Sequence, residues 1–234
     1  MLNKTRAIVL HHVKYGEASL IVTFYTEKYG RISGMVNGVK TKKSRFPATL
    51  FQPLTLLETD FYYRQNRTIQ RLKEATAAYI YISIPYNPSK NAVALFLAEV
   101  LNLSLQEEEN NSLLFSFIFH AFQLLDAKDE NIAWFHHWFM LQLTRYLGFF
   151  PGSGTPSLVS SGIHEFSGLS ERASSALLEL INSPQGPPDL DYFGHTQRNE
   201  LLERIIRYYT VHIEDFSRLK SWAVLQEVFK PNTI

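Results

Sequence analysis

The sequence predicts a multidomain α+β chain, a small closed β-barrel of five strands followed by an all-α domain, and three observations carry that reading. Short runs rich in β-branched and aromatic residues, bounded by glycines, crowd the first 83 residues. From residue 91 onward the apolar residues follow helical spacing, with caps and stops where helices need them. The charge divides at the same place. Residues 1–83 hold 13 Lys/Arg against 5 Asp/Glu, a balance of +8, and residues 84–234 hold 10 against 17, or −7. The net charge of +1 therefore conceals a dipolar chain, and asymmetry of this size points to nucleic-acid or membrane-surface binding by the basic half.

The strands are read at Ala7 to His12, Leu20 to Tyr25, Ile32 to Val36, Leu54 to Tyr62 and Thr68 to Ala75. Glu27-Lys28-Tyr29-Gly30 turns the second into the third, and Phe46 to Phe51 allows one helical turn before the fourth. Five short strands with an insertion there suit a closed barrel, which leaves no unpaired edge. Ile84-Pro85-Tyr86-Asn87-Pro88 reads as a hinge, giving domains at 1–83 and 84–234. Beyond it, Asn91 to Gln106 is apolar on nearly every face, as a central buried helix would be. Asn111 or Ser112 caps a helix reaching Leu125, and Asn131 to Leu147 forms another, stopped by Gly148 and Pro151. Further helices begin after Ser170 and Thr196, and the last spans Ser221 to Phe229. Gly152 to Gly168 and Ser183 to Gly194 read as connections.

Several function classes are excluded or unsupported. The 234 residues contain no cysteine, which removes a disulfide framework, a thiolate zinc site, an iron–sulfur cluster and a cysteine nucleophile. The apolar run from Ala7 to Leu10 is too short for a signal-peptide core, and no stretch approaches a membrane span, so cytoplasmic residence is expected. Gly34 to Thr41 has the wrong spacing for a phosphate-binding P-loop, and neither Gly-x-Ser-x-Gly nor His-Glu-x-x-His occurs. His11-His12 and His136-His137 are adjacent pairs expected to point to different faces, so no metal site is expected and no cofactor. The sequence offers no catalytic constellation.

It does offer a basic loop. Asn37 to Phe46 gathers Lys40, Lys42, Lys43 and Arg45 with two hydroxyls and an aromatic beside Gly38, the ingredients of single-strand binding. Arg64, Arg67, Arg71 and Lys73 lie in and after the hairpin between the last two strands, and Lys14 and Arg31 extend the basic track. Phe46, Tyr62 and Tyr63 are the principal candidates for stacking on bases, with Tyr25 and Tyr29 beside them; half or more of the five are expected in the core.

These residues resemble a known family. Ala7-Ile8-Val9-Leu10, Tyr15-Gly16-Glu17, Leu20-Ile21-Val22, Thr26 through Gly30, Gly38-Val39-Lys40 with Ser44-Arg45, and Gln52 to Glu58 look like RecO, the bacterial recombination mediator. The likeness continues through Leu97 to Leu101, Leu113-Leu114-Phe115, Leu143 to Pro151, and from Tyr208-Tyr209 through His212 to Phe229. It implies an N-terminal OB-fold barrel, a helical C-terminal domain and a nucleoid-associated cytoplasmic mediator that is not an enzyme. It also implies binding of single- and double-stranded DNA, annealing of complementary strands and help in loading RecA with RecR. Implied partners are RecR and the acidic C-terminal tail of the single-strand-binding protein. The matching basic positions are Arg31, Lys40, Lys42, Lys43 and Arg45. One departure stands out: many relatives hold zinc with four cysteines just beyond the position of Pro151, and this chain has none, so no zinc module is expected. Arg145, Arg204 and Arg207 are candidates for a basic partner pocket in the acidic half. A protein-interaction adaptor working through the helical domain is the rival reading, and an unrecognised hydrolase has only its histidines to support it.

Overall fold

The computed structural model describes residues 2–39, 46–151 and 166–230. Its first part is a closed barrel of β1 (Leu2–Tyr15), β2 (Ser19–Thr26), β3 (Gly30–Val36), β4 (Leu56–Tyr62) and β5 (Ile69–Ala77), in the order β1-β2-β3-β5-β4. All neighbours pair antiparallel except β3 with β5, which run parallel. That mixed five-stranded closure is the OB-fold arrangement the resemblance implied. β1 is longer than its apolar run because it borders two partners in succession: Leu2 to Ile8 face β4, and Ala7 to Tyr15 face β2. A 3₁₀ turn, Ala48–Phe51, sits where the helical insertion is expected.

The barrel interior is aromatic. Phe24 meets Phe61 edge-on at 5.3 Å and Phe51 at 6.4 Å, and Phe46 meets Phe51 at 6.0 Å. Gly34 makes room for this cluster, since a Cβ there would lie 2.8 Å from the Phe24 ring and 3.0 Å from Phe61. Bulges adjust which side chains point inward. On β5, Leu72 pairs with Phe61 and Glu74 with Asp60, leaving Lys73 as the extra residue, so that both Leu72 and Ala75 reach the interior.

By contacts the chain falls into two compact units, one of residues 1–82 with 98–123, the other of 83–97 with 124–234. The first unit thus takes in the end of α1 (Pro88–Ser104) and most of α2 (Ser112–Ala127) besides the barrel. Gly30 shows how closely they fit: at φ +59° its Cα leaves only 2.3 Å between a notional Cβ and the Glu109 carbonyl oxygen, and 2.9 Å to that of Glu107. The run Glu107–Glu109 has exposed side chains, and its backbone also accepts the Arg31 N–H at 3.0 Å on the Glu107 carbonyl. Gly30→Ala is therefore expected to cost about 3 kcal/mol in urea unfolding, from left-handed strain plus a clash with backbone that cannot rotate away. A cost within experimental error would show that the 107–109 segment yields freely.

The second unit is built around α3 (Ile132–Leu147), with α4 (Glu171–Ile181), α5 (His195–His212) and α6 (Trp222–Val228). Every α3 residue from Trp134 to Thr144 is buried, so α3, rather than α1, is the central helix; α1 leaves Leu95 exposed. Some of the polar groups on this helix find partners on other elements. Trp138 Nε1 donates to the Ser183 carbonyl at 2.7 Å, Gln142 Nε2 to that of Leu180 at 2.8 Å, and the Met140 carbonyl accepts from Tyr209 Oη at 2.7 Å. Ser170 caps α4 and Gly148, at φ +85°, ends α3.

The segment read as a hinge is fastened inside this unit. Asp126 Oδ1 accepts the N–H groups of Ser83 (2.8 Å) and Ile84 (2.9 Å), and Asn87 Oδ1 caps α1 through the N–H groups of Ser89 and Lys90. Lys90 is fully buried, its Nζ donating to Ser83 Oγ, the Asp126 carbonyl and Asp129 Oδ1.

His136 and His137 correct another expectation. Their rings lie 4.2 Å apart, both buried, instead of pointing to separate environments. Among the described residues no group of three metal-ligating side chains occurs, and no helix is long and apolar enough to cross a membrane.

Candidate nucleic-acid interface

The barrel sorts its cations into those with carboxylate or carbonyl partners and those without. Arg6 forms a two-pronged pair with Glu27 at 2.7 and 3.0 Å and lies over the Phe115 and Phe119 rings. That pairing raises the Arg6 pKa and lowers that of Glu27. Lys28 Nζ donates to the Lys4 carbonyl. Arg31, expected to touch phosphate, instead donates from Nη1 to the Asn102 and Leu105 carbonyls at 3.0 and 2.7 Å, and from Nη2 to Asn102 Oδ1 at 3.1 Å. Its guanidinium thus caps the C-terminal end of α1, where a positive charge meets the last carbonyls of the helix, and burial lowers its pKa. Lys73 lies 3.9 Å from Glu74.

Lys14, Arg64, Arg67 and Arg71 are exposed, and among the described residues none has a carboxylate partner. Three of them are gathered by one turn. Tyr62 pairs with Arg71 at the end of the β4–β5 ladder, and the arginine lies over the tyrosine ring at 6.0 Å. The connecting loop is held from beneath by Gln70, which is buried. Its Oε1 accepts the Arg64 N–H at 2.8 Å, and its Nε2 donates to the Arg64 and Arg67 carbonyls at 2.9 and 2.7 Å. One side chain therefore fixes the backbone from which two arginines project.

Two concavities adjoin at this loop. Tyr62, Arg64, Arg67 and Arg71 line the first, about 230 Å³. Met35, Asn37, Ile69 and Gln70 line the second, about 370 Å³, with Arg67 and Arg71 common to both. The parallel pairing of β3 with β5 makes this possible: Met35 sits opposite Arg71, which carries Asn37 to the same rim.

The aromatic candidates separate likewise. Phe46 is in the core, so it is not available to stack on a base. Tyr25 is buried against Phe115, with desolvation pushing its pKa up to about 12. Tyr63 is half-buried and stacked on Tyr29 at 3.9 Å. Tyr62 remains, 44% exposed beside the arginines. Lys40, Lys42, Lys43 and Arg45 lie outside the described residues.

In the helical unit the three arginines named for a partner pocket are not joined by any hydrogen bond or ion pair among the described residues. Arg145 donates to Gln142 Oε1 and the Ile181 carbonyl and lies over the Phe150 ring. Arg204 and Arg207 project from α5, the first half-buried and the second exposed. Gln70 and Asn37 were not singled out from sequence. A signal for Gln70 existed: in Ile69-Gln70-Arg71-Leu72 it occupies the inward phase of the strand, where a polar residue must have a partner.

Comparison with known proteins identifies the lineage. Residues 1–81 match the family model for the N-terminal part of recombination protein O, and residues 85–223 match that for its C-terminal part. The chain belongs to the RecO family. It is 38% identical to a DNA repair protein RecO of Bacteroides fragilis over 242 aligned positions, covering 98% of this chain and all of that one. The RecO proteins of Christiangramia forsetii, 40% identical over 240 positions, and Flavobacterium psychrophilum, 36% over 236, are similar along nearly their whole lengths. The RecO family is one of non-enzymatic recombination mediators. Cysteine-free from end to end, this member cannot build a four-cysteine zinc module.

Proposed function

We propose that this RecO-family chain binds single- and double-stranded DNA through its barrel, residues 1–83, anneals complementary strands, and assists RecA loading together with RecR. The observation that carries the reading is the set of arginines on one rim of the barrel, Arg64 and Arg67 on the loop fixed by Gln70 and Arg71 beside them in β5, that have no carboxylate partner among the described residues. Cations so placed offset the phosphate repulsion between two strands while leaving base edges free to pair. No nucleophile or cofactor is needed. The helical domain, residues 84–234, is the surface for RecR and for the acidic tail of the single-strand-binding protein, with Arg145, Arg204 and Arg207 as contacts. The setting is the cytoplasmic nucleoid.

The test is fluorescence anisotropy of a labelled single-stranded oligonucleotide across a salt series. The full chain should bind with a steep dependence on salt. Replacing Lys40, Lys42, Lys43 and Arg45 together with alanine should weaken binding sharply and flatten the slope by up to about four phosphate equivalents. If affinity and slope do not change, that loop is not a DNA contact.

A further inference from the structure

The paired concavities at the β4–β5 loop ask for a more specific ligand than an internal stretch of DNA backbone. Three guanidiniums without a carboxylate partner among the described residues line a concavity of about 230 Å³. An internal phosphodiester brings one negative charge and two free oxygens, which would leave most of that positive charge unmatched. A terminal phosphate monoester brings a charge of roughly −1.5 to −2 and three free oxygens, one for each guanidinium. The adjoining concavity has what a nucleoside needs beside such a phosphate. Met35 and Ile69 supply apolar surface, and Asn37, whose Oδ1 accepts from Ser19 Oγ at 3.2 Å, keeps its amide N–H groups to donate. Arg67 and Arg71 line both spaces, so a phosphate and its attached nucleoside can lie across them. The loop is already ordered by Gln70, so little conformational entropy is lost on binding.

We infer that this rim is a binding site for the phosphorylated end of an unpaired DNA strand, with the terminal phosphate among Arg64, Arg67 and Arg71 and the end nucleoside against Met35, Ile69 and Asn37. The inference rests on the reading of the barrel as a DNA-binding domain and adds recognition of a strand end to it.

The experiment compares single-stranded oligonucleotides of about eight nucleotides, a length within the footprint of one barrel, carrying a 5′-phosphate, a 3′-phosphate or hydroxyls at both ends. Binding to the full chain is measured by competition anisotropy at fixed salt. One phosphorylated end should bind about tenfold more tightly than the hydroxyl-ended strand, and the two phosphorylated arms show which end is read. Arg64→Gln and Arg67→Gln, both at exposed positions, should lower affinity for every strand and also remove the preference, so that each variant binds phosphorylated and hydroxyl-ended strands equally. Equal binding of all three oligonucleotides to the unaltered chain would overturn the inference and leave general DNA binding standing. Failure of every oligonucleotide to bind would overturn the DNA-binding reading itself. A preference that survives both arginine variants would place the end-binding site elsewhere and also overturn the inference.

Discussion

Replacing Asp126 with alanine should lower the free energy of unfolding by about 3 kcal/mol, a large share of the stability of a protein of this size. Asp126 is buried at the end of α2, and its carboxylate oxygen is the acceptor for two consecutive backbone N–H groups, those of Ser83 and Ile84. Alanine leaves both donors without a partner next to the buried ammonium of Lys90. An asparagine side chain in its place would keep the acceptor oxygen, so Asp126→Asn should cost about 1 kcal/mol, mainly from the lost negative charge near Lys90. Urea unfolding of the two variants separates the causes. Equal losses would mean that charge and not hydrogen bonding makes Asp126 necessary, and a negligible loss in alanine would show that residues 83–84 are held by something else.

Mild acid should destabilise the helical unit through His136 and His137. A carbonyl can only accept, so the 2.9 Å contact of His137 Nε2 with the Arg198 carbonyl places a proton on Nε2, and a second proton, on Nδ1, would be a buried charge. The Nδ1 atoms of both rings are buried without a partner among the described residues, and Phe229 stacks on His136. Burial, reinforced for His137 by the nearby Arg198 charge, lowers its pKa to about 4 against the hydrogen bond that pulls the other way; burial takes His136 well below its ordinary value. Because the unfolded chain binds these protons near pH 6.5 and the folded one does not, stability is complete above pH 6.5 and falls as pH drops toward the folded values. The slope is about 1.4 kcal/mol per pH unit for each ring, or about 2 kcal/mol each between pH 6.5 and 5, before most carboxylates titrate. Denaturant melts at pH 7.5 and 5.0 check this. His137→Gln should flatten the dependence whatever it does to stability at neutral pH, and an unaltered pH dependence would show that the rings do not stay neutral.

Local chemistry marked most of the architecture. Alternation and bounding glycines located all five strands, although β1 extends from Leu2 to Tyr15 where only Ala7 to His12 could be read, because its ends are polar and their pairing with two strands is a property of closure. Caps and stops placed the helices within a few residues: Ser170, Gly148 and Asn111, whose Oδ1 accepts the Leu114 N–H, all act as their residue types suggest. The ranking of helices by burial failed, since α1 is apolar in composition yet exposes Leu95, whereas α3, with two histidines, a glutamine and a threonine, is buried through its middle. Polar residues can be interior when carbonyls on other elements satisfy them, and no local window contains those carbonyls.

The same limit governs the candidate site. The sequence by itself determined the barrel and helical classes, the basic character of the first 83 residues, and the impossibility of cysteine chemistry, because these depend on composition and on periods of two and 3.6 residues. Only the tertiary structure decided which cations face outward without a neutralising partner. Arg6 is matched by Glu27, and Arg31 is taken up by carbonyls 71 and 74 residues further on, while Arg64 and Arg67, on a loop fixed by Gln70, and Arg71, at the start of β5, have no carboxylate partner among the described residues. Charge is carried by a residue type, but its availability depends on neighbours that folding brings from distant parts of the chain.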